Sequence, residues 1–115
     1  MTHEDVFDLL TEAGIPVAYS HFEKDEENPA PEPPFICFYY PGSDDLMADN
    51  LNYATITPLT AELYTNNKDF ALEAKLEAIF RRYELPFGRS EAYISKEQMY
   101  QITYNTEVLI NAEQS

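Results

Sequence analysis

Val6, Leu9, Leu10 and Ala13 recur at i, i+3, i+4 and i+7, one apolar stripe on a helix. Thr2, three residues ahead of Asp5, supplies a capping-box start, and Gly14 ahead of Ile15-Pro16 supplies a stop. The spacing predicts a helix over residues 3–13, then a short strand over 17–22. Residues 23–34 break the pattern, with five acids and four prolines in twelve positions, and read as a mobile loop. Its Pro31-Glu32-Pro33-Pro34 run reads as a stiff linker, since the cation that orients a PxxP ligand is missing.

Residues 35–40 (Phe-Ile-Cys-Phe-Tyr-Tyr) contain no strongly polar member, so a central strand covered on both faces is expected. A long extended segment follows over 51–65, in which Pro58 predicts a bulge or an edge position because proline cannot donate to a ladder. Asn66-Asn67 offers cap residues for a second helix over 67–83. There Leu72, Leu76, Ile79, Phe80 and Tyr83 form the apolar stripe, with Asp69, Glu73 and Glu77 expected on the far side. Strands at 89–94 and 99–110, joined by Ser95-Lys96-Glu97-Gln98, predict a hairpin. The last strand alternates most cleanly: Tyr100, Ile102, Tyr104, Thr106, Val108 and Ile110 against Gln101, Thr103, Asn105 and Glu107. The order implies an α+β domain, a mainly antiparallel sheet with two amphipathic helices packed on one face.

A chain of 115 residues has room for one domain, and 44% apolar residues suffice for its core. No apolar run spans a membrane, and the opening Met1-Thr2-His3-Glu4-Asp5 lacks a basic stretch and an apolar segment after it. Neither membrane insertion nor export is therefore expected. The net charge of −14 makes nucleic-acid binding an unfavourable reading, since phosphate contacts need clustered cations. The imbalance is concentrated in residues 1–50, where twelve acids face Lys24 alone.

Catalytic chemistry finds little support. His3 and His21 sit in no triad frame, and Cys37 lies in the most apolar segment without a cation to form its thiolate. His21 with Glu23, Asp25, Glu26 and Glu27 matches no zinc or calcium spacing. Glycines at 14, 42 and 88 cannot make a phosphate-binding loop. Arg81, Arg82 and Arg89 form the one basic knot, expected at a helix C-terminus where they complement the dipole. We expect no enzyme, no catalytic residue, no metal and no cofactor.

Four segments together carry a resemblance: residues 35–40, Ala61-Glu62-Leu63-Tyr64-Thr65-Asn66-Asn67-Lys68-Asp69, Glu91-Ala92-Tyr93, and Tyr100-Gln101-Ile102-Thr103-Tyr104. In this order the chain resembles the tail-terminator or tail-completion (head-tail joining) proteins of long-tailed bacteriophages and prophages. The resemblance implies a non-catalytic subunit of a homo-oligomeric ring, commonly a hexamer, that caps the tail tube. Tail-tube and head-connector proteins would be its partners. It would occupy the host cytoplasm during assembly and then the head-tail junction of the virion.

The long last strand and the wealth of tyrosine (Tyr39, Tyr53, Tyr64, Tyr93) point to a sheet surface where subunits join. Tyr93, Gln101, Thr103, Asn105 and Glu107 are the expected interface residues. Asp44, Asp45 and Asp49, on a short acidic connection, are expected to line a channel and keep DNA mobile in it. The competing reading is an acidic monomeric binding or inhibitor protein that mimics DNA, for which the charge would be natural.

Overall fold

The computed structural model describes residues 1–23, 30–42 and 54–111. The first helix, α1 (His3–Thr11), begins as its sequence dictates. The Thr2 hydroxyl accepts from the Asp5 N–H at 3.0 Å, and the Asp5 carboxylate accepts from the Thr2 N–H at 2.9 Å. The helix ends two residues before the expected 13, and Gly14 takes the left-handed φ of +84° that turns the chain towards the sheet.

Strand β1 (Val17–Tyr19) is half the expected 17–22, because Ser20 enters the left-handed region at φ +69° and ends it. It runs parallel to β2 (Phe35–Tyr39). β2 pairs antiparallel with β3 (Ala54–Thr65), which pairs antiparallel along its full length with β5 (Met99–Asn111). β4 (Gly88–Ile94) closes the sheet against β5, giving the order β1-β2-β3-β5-β4. The expected tight turn joins β4 to β5, with Gln98 at φ +54°. β3 and β4 run parallel with β5 between them, so the second helix, α2 (Phe70–Arg82), makes a crossover connection.

The fold is α+β with a mainly antiparallel five-stranded sheet. Two details differ from expectation, and Pro58 takes the edge position rather than the bulge. The central strand is β3, while β2 lies one in from the edge. Pro58 makes no bulge, since the register runs through Pro58↔Glu107 without a slip. The ladder with β2 stops at Tyr39↔Thr60, so proline falls where β3 has a ladder partner among the described residues on one side only. Asp69, not Asn66-Asn67, caps α2, its carboxylate accepting from the Leu72 N–H at 3.0 Å.

The register assigns each strand residue to a face. Ile36, Phe38, Leu59, Ala61, Leu63, Ile102, Tyr104, Val108 and Ile110 share one, and all are buried with Val6, Leu9 and Leu10 of α1 and Leu76, Ile79 and Phe80 of α2. Both helices therefore pack on this side. On β5 the expected alternation is complete: Ile102, Tyr104, Thr106, Val108 and Ile110 are buried, while Asn105, Glu107 and Leu109 are exposed.

Candidate assembly surface

Side chains alternate along a strand, so the sheet face away from the helices carries Phe35, Cys37 and Tyr39 from β2, then Ile56, Pro58, Thr60, Glu62 and Tyr64 from β3. β5 adds Gln101, Thr103, Asn105, Glu107 and Leu109, and β4 adds Ser90 and Ala92. Four of the five expected interface residues thus lie together. Tyr93 does not join them: it pairs with Tyr100, on the helix-side face, near the turn of the β4–β5 hairpin. The period-two pattern of residues 88–94 could not reveal this, because all but Ile94 of β4 are exposed on both faces.

This face is organised by contacts among its own side chains. Glu62 sits between two tyrosines, its carboxylate accepting from the Tyr64 hydroxyl at 2.8 Å and from the Tyr39 hydroxyl at 3.4 Å. Burial, then the neighbouring carboxylate, pushes the Tyr64 hydroxyl well above the usual tyrosine range, and the Tyr39 hydroxyl rises for the same reasons. Phe22 meets Phe35 edge-on and Phe35 meets Tyr64 at a tilt, with ring centroids 5.3 and 5.1 Å apart. The hydroxyl of buried Thr60 donates to the Asn105 side-chain oxygen at 2.8 Å. Cys37 lies buried beneath this layer, and burial together with Glu62 pushes its thiol up to about 11. A covered thiol held in its neutral form packs like a small apolar side chain.

Beyond the end of β2 the face changes character. Ile56 and Leu109 are cross-strand partners, 61% and 56% exposed, and form an apolar pair beside Pro58 and Glu107. Asp44, Asp45 and Asp49, the expected channel lining, lie outside the described residues, as do Tyr53 and residues 24–29 of the acidic loop.

On the helix side, one polar constellation escaped the sequence pattern. Glu73 is only 3% exposed and not on the solvent side of α2. Its carboxylate accepts from Lys68 Nζ at 2.7 Å and from the Arg89 guanidinium. Glu77 accepts from the Tyr104 hydroxyl at 2.7 Å and forms an ion pair with Arg89, Nε to carboxylate 3.3 Å, and Glu91 completes the group through Lys68. The register explains the assembly: Arg89 and Glu91 are two apart on β4 and so point alike, and Arg89 faces Tyr104 across the ladder. Lys68, Arg89 and Tyr104 each meet a carboxylate of the same chain, so the cluster ties α2 to the β4–β5 hairpin. Of the basic knot, Arg82 pairs with Glu12 at the C-cap of α1 and Arg81 approaches Glu77, in keeping with a structural role, while Arg89 belongs to the cluster around Glu73 and not to a helix C-terminus. Among the described residues, no group of three or more histidine, cysteine or acidic side chains is placed to hold a metal ion.

No family model matches this chain, and no curated protein matches it.

Proposed function

We propose that the chain is a non-catalytic structural subunit that self-associates through the sheet face opposite its helices. In this reading it is a tail-terminator or head-tail joining protein of a long-tailed phage or prophage, assembled as a ring. The observation that carries the reading is the apolar pair Ile56 and Leu109, exposed on the face that also carries Thr103, Asn105 and Glu107. A monomer gains nothing from exposing two large aliphatic side chains side by side, whereas a subunit joint removes them from water. The acid excess fits assembly only if like charges are kept apart or screened, so rings should form more readily as salt rises.

The alternative, a monomeric acidic mimic that captures a basic partner, draws on the −14 charge alone. Size-exclusion chromatography with light scattering, across a range of salt and protein concentration, separates the two. Rings or concentration-dependent oligomers support the structural subunit, and a salt-independent monomer at all concentrations contradicts it.

A further inference from the structure

A second surface lies at the opposite edge of the sheet, on the helix side. There α1, β1 and the end of β2 enclose a groove of about 540 Å³ lined by His3, Glu4, Phe7, Tyr19, Phe38 and Tyr40. Four of these six residues are phenylalanine or tyrosine, and their rings are mutually braced. Tyr19 meets Phe38 edge-on at 5.3 Å and Tyr40 at 5.7 Å, and Phe7 lies 6.4 Å from Phe38. Tyr40 is fixed in turn by His3, whose Nδ1 lies 2.8 Å from the tyrosine hydroxyl. Although the ring faces are held in place, Tyr19 is 53% and Phe7 39% exposed. One wall is acidic, since Glu4 lines the groove and is exposed.

We propose that this groove binds an arginine-bearing extended segment of a partner protein. A fixed set of aromatic faces beside a carboxylate suits a guanidinium, which stacks on rings through its plane while its edge donates to the acid. The volume exceeds one side chain, and β1 ends the sheet, so the segment can lie along that edge with an apolar neighbour seated over Phe7. A second copy of this chain is the poorer occupant. Lys68, Arg81, Arg82 and Arg89, four of its seven cations, are held in ion pairs of their own, and each copy brings a charge of −14. The site is separate from the assembly surface and does not depend on the reading given above.

The test is fluorescence anisotropy of a dye-labelled, capped peptide of alternating arginine and leucine, titrated with the full-length chain. Saturable binding is expected, and Tyr19→Ala, at an exposed position whose loss spares the core, should weaken it about tenfold. Glu4→Gln should weaken it less. Tyr93→Ala, which removes an equally exposed tyrosine at the far edge of the sheet, should leave it unchanged. The same peptide with citrulline in place of arginine should not bind. Equal binding of the citrulline peptide would overturn the proposal, leaving a merely apolar groove. So would binding that Tyr19→Ala leaves intact, which is diffuse attraction to an acidic surface. Self-association of the chain that Tyr19→Ala abolishes would assign the groove to a second copy, and a failure to bind at all would end the idea.

Discussion

The two faces of the sheet are built by different means. The helix-side face is closed by α1 and α2, which bury a continuous aliphatic and aromatic layer bordered by a charge cluster around Glu73. The opposite face has no helix among the described residues, and its larger side chains lean on one another instead: Glu62 on Tyr39 and Tyr64, Thr60 on Asn105, Phe35 between Phe22 and Tyr64. One face therefore supplies the folding energy of the monomer. The other is tidy where its side chains can satisfy each other and left apolar at Ile56 and Leu109, where they cannot. Substitutions on the two sides should accordingly separate stability from assembly.

The largest effect is expected at the centre of the helix-side layer. Ile102 is fully buried opposite Leu63, so Ile102→Ala should cost about 3–4 kcal/mol in urea unfolding. An effect below ~1 kcal/mol would mean that this face is not the core. Next comes Glu73→Leu, which takes the buried carboxylate from Lys68 and Arg89 and leaves them Glu91 and Glu77. Their partial exposure to water softens the penalty to about 2 kcal/mol, and the loss should appear as faster hydrogen exchange in β4 before the rest of the sheet. On the opposite face Thr60→Val removes one hydrogen bond at nearly constant volume and should cost about 1 kcal/mol, since Asn105 can turn to water. Smallest for stability is Thr103→Lys. Thr103 faces Glu62 across the ladder, so the new ammonium gains a carboxylate neighbour, and the unfolding free energy should stay within ~0.5 kcal/mol while oligomers seen by light scattering disappear. Asn105→Lys is the less clean variant, because it also breaks the bond to Thr60.

Much of this architecture was legible in local pattern. The Thr2–Asp5 capping box, the α1 stripe and the alternation of residues 100–110 each follow from neighbours in sequence, and the α+β class follows from their order. Pairing partners were not legible. Nothing in residues 17–19 announces a parallel edge strand, and β3 rather than the more apolar β2 takes the centre because its twelve residues match the length of β5. The side of α2 that carries Glu73 reads as solvent-facing from helical spacing alone. It is buried because a crossover helix meets Arg89 and Glu91 from a strand that comes later in the chain. On the candidate surface, Gln101, Thr103, Asn105 and Glu107 were readable together because they alternate on one strand. Tyr93 lies on the other face, which depends on the register of an edge strand exposed at every residue but Ile94.

The central claim is that the face opposite the helices is where subunits meet. Hydroxyl-radical footprinting read by mass spectrometry tests it on the unmodified chain, compared between dilute monomer and concentrated, salt-screened assembly. Ile56 and Leu109 should lose most of their oxidation on assembly and Tyr64 part of it, while Tyr93, exposed at 53% on the other face, should react as before. Protection at Tyr93 and along α2, with Ile56 and Leu109 still oxidised in the assembly, would contradict the account and move the joint to the helix side.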